Sequence, residues 1–111
     1  TIQLKNIFFD TGKAELLDIS KTELLRIVAF MNKQKNLKIE VHGHTDNIGN
    51  TDSNDELSKL RALAVKAFIT QHGISKERIF TRYFGESQPI DDNNSEKGRK
   101  ANRRVEILFV Q

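Results

Sequence analysis

Apolar and polar positions along this chain follow two periods, and the changes from one to the other mark its elements. From Ile2 to Phe9 apolar and β-forming residues dominate, and Phe8-Phe9 runs into Asp10-Thr11-Gly12. This predicts a strand entering a turn. Ser20-Lys21-Thr22-Glu23 has the spacing of a capping box, in which Ser20 and Glu23 satisfy each other's free backbone N–H groups. Leu24, Val28 and Met31, with Leu25 and Ile27 beside them, then recur at helical spacing to Gln34. Leu37, Ile39 and Val41 alternate with Lys38, Glu40 and His42, the signature of a strand with one buried face, running into Gly43.

A polar loop extends from His44 to Asp52, and Ser53 to Glu56 repeats the capping-box spacing. Leu57, Leu60, Ala64, Ala67 and Phe68 mark the face of a second helix, which ends at Gly73. Arg78 to Phe84 reads as a third strand, and Gly85 to Lys97 as a long connection carrying the only proline, Pro89. Val105, Ile107 and Phe109 alternate with Glu106, Leu108 and Val110 in a last strand. The predicted order is β-α-β-α-β-β. It makes an α+β fold, a two-layer sandwich of a four-stranded mixed sheet with its helices on one face.

Composition narrows the classes. At 111 residues the chain has room for one core, spanning residues 1–111. It has no cysteine, which rules out disulfides and thiolate metal sites. No apolar run approaches the length of a membrane-crossing helix. Thr1-Ile2-Gln3-Leu4-Lys5 lacks a charged segment followed by an apolar one, so the expectation is a mature protein or a domain excised from a longer one. Charge is concentrated rather than spread: Lys97, Arg99, Lys100, Arg103 and Arg104 fall in one acid-free stretch. Removing these five from the net of +3 leaves the rest of the chain at −2. A nucleic-acid partner is therefore not expected, since it wants a broad basic face with stacking aromatics.

Two constellations could carry chemistry. His42-Gly43-His44-Thr45-Asp46 has the H-x-H-x-D spacing with which some metallohydrolases gather ligands at a strand end. A second adjacent histidine is missing, because Asn47 follows Asp46, and a catalytic zinc wants three protein ligands and an open position. The metal-dependent hydrolase is thus the weaker alternative, and no cofactor or metal is expected. Asp46 to Asn50 resembles the start of a calcium loop, but Ile48 and Thr51 break its pattern. The other constellation is not catalytic. Asp46 sits where the second strand gives way to its loop, and Arg61 lies on the helix that this loop feeds. Next to core-facing Leu60, Arg61 should run its stem along the edge of the buried face. With Asn54 and Ser58 close by, the pair is either a structural salt bridge or a clamp for a zwitterion, the carboxylate taking an ammonium and the guanidinium a carboxylate. Neither residue reads as core, so truncating either should cost about 1 kcal/mol of stability or less.

The stretch His44-Thr45-Asp46, followed by Asn54-Asp55-Glu56-Leu57-Ser58-Lys59-Leu60-Arg61-Ala62 and Val65, resembles the G-H-T-D and N-x-x-L-S-x-x-R-A-x-x-V block of the OmpA-like C-terminal domain family. That family includes the peptidoglycan-associated lipoprotein and the MotB stator tail. Ile7-Phe8-Phe9-Asp10, Gly85-Glu86-Ser87-Gln88-Pro89 and Gly98-Arg99-Lys100-Ala101-Asn102-Arg103-Arg104-Val105 fall in the family's order. The resemblance implies the fold predicted above and non-covalent binding of peptidoglycan through the diaminopimelate of its stem peptide, without enzymatic activity. It places the ammonium of that residue on Asp46 and its carboxylate on Arg61. It adds Asp10, Thr11, Gly12 and Arg103 to the site, with Thr45, Asn54, Leu57 and Ser58 around the pocket. Where some members carry a polar side chain, Gly12 can offer only a backbone N–H. The resemblance further implies an anchor in the periplasm, at the outer membrane or envelope of a Gram-negative-type bacterium, or a wall-holding module of a flagellar stator or secretion complex. Lys97, Arg99 and Lys100 form either a solvated face or a patch that steers the anionic polymer toward the pocket.

Overall fold

A computed structural model describes residues 4–10 and 12–110. The elements run β1 (Leu4–Phe8), α1 (Asp18–Lys33), β2 (Lys38–Gly43), α2 (Thr51–Gln71), a single 3-10 turn (Lys76–Arg78), β3 (Ile79–Tyr83), α3 (Glu96–Asn102) and β4 (Arg104–Val110). The strands form one sheet in the order β1-β4-β2-β3, with β2 and β3 parallel and β4 antiparallel to both β1 and β2. The expected α+β sandwich with a mixed four-stranded sheet is thus the observed fold.

The alternation of β2 does what it promised. Leu37, Ile39 and Val41 are buried, and they meet Ile79, Val105, Ile107 and Phe109 of the neighbouring strands and Leu24, Ile27, Val28 and Met31 of α1 in one core. α2 completes that core with Ala62, Val65 and Ile69. It lies directly on β2: a Cβ on Gly43 would run into the backbone carbonyl of Ser58.

Three local expectations are corrected. α1 begins earlier than its apparent capping box: Leu17 is the N-cap and makes no side-chain cap bond, so Ser20 is already inside the helix and buried. α2 is capped by Asn50, whose side chain accepts from the Ser53 N–H at 2.7 Å, so Ser53 lies in the first turn rather than before it. The side chain that reaches the free N–H decides the start, and Asn is among the strongest caps. The connection after β3 is not all loop. It contains α3, capped by the Ser95 side chain on the Gly98 N–H. This short helix has no apolar stripe to betray it.

The inward face of α2 is also rotated from the one that its leucines suggest. Asn54, Ser58 and Arg61 are buried, whereas Leu60 is 46% exposed and Ala67 is exposed. The first half of the helix covers the polar end of the sheet and uses its inner positions for hydrogen bonds. Its own apolar contribution to the core begins at Ala62.

Candidate functional site

All four strands contribute one end to the same place. The ladder continues past its formal limits there: His44 N–H donates to Arg104 O at 2.9 Å, Phe9 N–H to Arg103 O at 2.9 Å, and Thr45 N–H to Gly85 O at 2.8 Å. These bonds fix the backbone of Phe9, His44, Thr45 and Arg103 side by side, and α2 starts over them.

Arg61 lies beneath this surface. It is fully buried, and each guanidinium nitrogen donates to a backbone carbonyl: Nε to Lys13 at 2.8 Å, Nη1 to His44 at 2.9 Å and Nη2 to Asp10 at 2.9 Å. Its Cζ stands 5.2 Å from the centre of the Phe9 ring, within cation–π range. The stem therefore does not skirt the core boundary. Arg61 ties the turn after β1 to the end of β2, a role open to arginine because its rigid fork can serve several acceptors at once. Burial pushes its pKa down to about 10, with Asp46 acting upward and Arg103 downward, and the group stays charged at neutral pH.

Asp46 pairs with Arg103, not with Arg61. Its Oδ2 accepts from Arg103 Nη1 at 3.1 Å, and its Oδ1 accepts from the Ile48 N–H at 3.0 Å, which closes the turn after β2. Arg103 also donates through Nε to Phe9 O at 3.2 Å and through Nη1 and Nη2 to the two oxygens of Glu96 at 3.2 and 3.3 Å. Burial opposes the charge of Arg103, but the hydrogen bonds to Glu96 and Asp46 outweigh it and raise its pKa. The same bond from Arg103 draws the pKa of Glu96 below the usual carboxylate range.

The remaining predicted residues fall around this cluster. Thr45 is buried, with Oγ1 donating to Asp46 O at 2.8 Å. Asn54 Nδ2 contacts Asp46 O at 3.4 Å and donates to Glu86 Oε1 at 3.1 Å. Ser58 is buried deeper, donating to Asp55 O at 2.7 Å and accepting from Gly85 N–H at 3.0 Å, so it braces the loop after β3. Asp10 is exposed and brings its carbonyl to Arg61. Leu57 is half-buried on the flank of α2, and Gly12 is exposed with φ +68. Thr11 lies outside the described residues. Glu96 and Phe9 are members of the cluster that sequence reasoning missed. The signal for Glu96 was available: it is the last acid before the basic run.

The histidines turn elsewhere. His42 Nε2 lies 2.9 Å from Glu40 and His44 Nε2 lies 3.1 Å from Glu106, both on the sheet face opposite the helices. His44 stacks on Phe84 at 5.2 Å and is fully buried, with Nδ1 unpartnered. Burial, helped by Arg104 and opposed by Glu106, lowers its pKa to about 4. With Asp46 on Arg103, the three members of the H-x-H-x-D pattern serve three different partners. Among the described residues no three His, Cys, Asp or Glu side chains are placed to hold a metal. The basic run is divided as well: Arg103 and Arg104 are buried, Arg99 donates to Asn93 O at 2.9 Å, and Lys97 and Lys100 are exposed.

Comparison with known proteins agrees with this fold. The profile of the OmpA family matches residues 8–103. The chain is 37% identical over 100 residues to outer membrane protein Omp38 of Acinetobacter baumannii, a match covering 89% of this chain and 28% of that protein. It thus spans under a third of that curated relative's length. The peptidoglycan-associated lipoprotein of Burkholderia pseudomallei has the same fold, with a TM-score of 0.91 at 21% identity, covering 95% of this chain and 89% of that one. The cell wall anchor of the T6SS from Pseudomonas aeruginosa superposes with a TM-score of 0.83 at 28% identity, covering 99% of this chain and 82% of that one.

Proposed function

The chain belongs to the OmpA family, and from that membership we propose that this domain holds peptidoglycan by non-covalent contacts and so fastens an envelope protein to the wall. The observation that carries the reading is the buried cluster of one carboxylate, Asp46, with two guanidiniums, Arg61 and Arg103, at the end of the sheet. Such a set suits a ligand that carries an ammonium and a carboxylate close together, which describes the side-chain end of diaminopimelate. In this reading Asp46 takes the ammonium. Arg61 supplies the carboxylate's counter-charge from beneath: Nη1 and Nη2 each carry a second hydrogen with no acceptor among the described residues. Arg103 donates to the same ligand carboxylate from the rim, while Thr45 and Asn54 fix the loop that presents Asp46. Asp10, Gly12 and Leu57 would complete the pocket walls, with Ser58 bracing the loop after β3 from beneath; the resemblance adds Thr11, which lies outside the described residues.

Binding is proposed without hydrolysis, because His42, His44 and Asp46, the residues of the H-x-H-x-D pattern, are each turned to a different partner rather than to a common centre. The domain would work on the periplasmic side of the envelope, as one part, residues 1–111, of a longer protein. The likeness to a secretion-system wall anchor favours a module of a larger machine as a variant of the same role. Sedimentation with purified diaminopimelate-type sacculi tests the proposal. The domain should pellet with the sacculi and release no soluble muropeptides. A domain that stays in the supernatant refutes wall binding, and released muropeptides refute the non-enzymatic half.

A further inference from the structure

Glu96 approaches the cluster from outside. Its side chain is 64% exposed, while that of the Arg103 it holds is 6% exposed. Its two oxygens meet Nη1 and Nη2 of Arg103 at 3.2 and 3.3 Å, the two-pronged arrangement in which a guanidinium receives a free carboxylate. Beneath it, Asp46 alone faces Arg61 and Arg103, so these three buried side chains carry a net positive charge. An uncompensated buried charge is costly, and Glu96 supplies the missing counter-charge from a position that solvent can reach. The other charged group beside Glu96 is Arg99 of its own helix, at 3.5 Å.

We propose that Glu96 is a resident stand-in for the ligand's carboxylate, covering Arg103 in the free domain and giving way when ligand binds. This rests on the wall-binding reading above. No covalent bond changes: the two hydrogen bonds of Arg103 pass to the incoming carboxylate, and Glu96 turns to solvent and to Arg99. The domain then binds its ligand with an affinity reduced by the fraction of time that Arg103 is covered. The exchange also selects. A simple carboxylate replaces one oxygen fork by another and gains nothing, whereas a zwitterion gains the ammonium contact to Asp46 as well. Glu96 thereby excludes the small anions that two buried arginines would otherwise attract.

The test compares the parent domain, Glu96→Gln and a charge control, Asp52→Asn, which removes an exposed acid from the first turn of α2 at the same end of the sheet. Each is titrated with a soluble diaminopimelate-bearing stem peptide and sedimented with purified sacculi, and the Glu96 carboxyl is followed by carbon NMR in the parent. Glu96→Gln should bind about two- to tenfold more tightly, and Asp52→Asn as the parent does. The Glu96 pKa, low in the free domain, should return to the ordinary glutamate range at saturation. Unchanged or weaker binding by Glu96→Gln, an equal gain in Asp52→Asn, or a Glu96 pKa that stays low at saturation overturns the inference alone. A parent that fails to bind sacculi overturns the wall-binding reading and this inference with it.

Discussion

The Asp46 carboxylate and the Arg103 guanidinium, 57 residues apart in sequence, meet at 3.1 Å with each side chain 6% exposed. Their contact joins the loop after β2 to the start of β4, and among the described residues the hydrogen bonds of Arg61 go to its three backbone carbonyls alone. The two arginines therefore have different duties. Arg103 sits at the rim in an ionic cluster, whereas Arg61 holds backbone together underneath.

Arg61→Ala should accordingly destabilise the domain, against the small cost expected for an exposed pair. Three backbone carbonyls lose their donor, the one on His44 in a fully buried setting, and the loss should be about 2–4 kcal/mol. Urea unfolding of the variant beside the parent measures it. A loss under about 0.5 kcal/mol would show that water replaces the guanidinium without penalty.

Asp46→Asn separates binding from folding. The amide oxygen can still accept from the Ile48 N–H, but the NH2 group then faces the Arg103 guanidinium, which keeps only Glu96, so the stability loss should be about 2–3 kcal/mol. Affinity for sacculi should fall about ten- to a hundredfold, because the ammonium meets a neutral group. Sedimentation isotherms and thermal unfolding of the same preparation check both halves. Parental binding by Asp46→Asn would remove Asp46 from the site.

The wall chemistry should matter too. Lysine at the stem position ends in an ammonium alone, so it satisfies Asp46 and leaves the guanidiniums without their carboxylate. A site built for a polar group rejects the analogue lacking it. Water softens the penalty at a partly open rim, so the preference for diaminopimelate should be about ten- to a hundredfold. Titrating free diaminopimelate and free lysine while watching the amide signals of Thr45, Asp46 and Arg103 gives the ratio. Equal affinities would mean that no arginine reads the carboxylate.

His44 predicts a pH dependence of stability unrelated to ligand. Its pKa is about 4 in the folded domain and 6.5 in the ordinary state. Between these values the unfolded chain binds more protons, so stability rises with pH through this window. The contribution is complete above about pH 6.5 and is lost as pH falls toward 4, with about 3 kcal/mol at stake as an upper figure. Comparing urea midpoints at about pH 7.5 and about pH 4.5 for the parent and His44→Gln isolates it from the carboxylates. The variant should lose much less stability on acidification than the parent, and an identical loss would sink the assignment.

Much of the fold was legible because its core obeys simple periods. Leu37, Ile39 and Val41 announced β2, and Val105, Ile107 and Phe109 announced β4, since each strand is buried on one face. The face of α2 was not legible by the same rule. Apolar Leu60 faces solvent and charged Arg61 faces inward, because the sheet end beneath offers three backbone carbonyls and the face of the Phe9 ring. Hydrophobic patterning is blind to a buried surface made of backbone acceptors. α3 escaped for a related reason: Gly98 and Asn102 are its buried residues, and Asn102 is held by hydrogen bonds to Ile90, Asp91 and Asn93 rather than by oil-like packing. In the site, Asp46, Asn54, Arg61 and Arg103 were all singled out from motifs. What motifs could not give was the pairing, which depends on where the end of α3 sets Arg103 against the loop after β2.

The sheet order has a mechanical consequence. The end of the sheet beside Asp46 and Arg103 holds the last residue of β1 and the first of β4, so Leu4 lies at the opposite end, paired with Leu108. Under the wall-binding reading proposed above, a load applied between Asp46 and Leu4 would run along the strands. The pairs from Leu4↔Leu108 to Phe8↔Arg104 are then sheared together instead of being peeled one by one. Rupture in that direction would have to break these pairs together, the geometry in which a short strand resists load best.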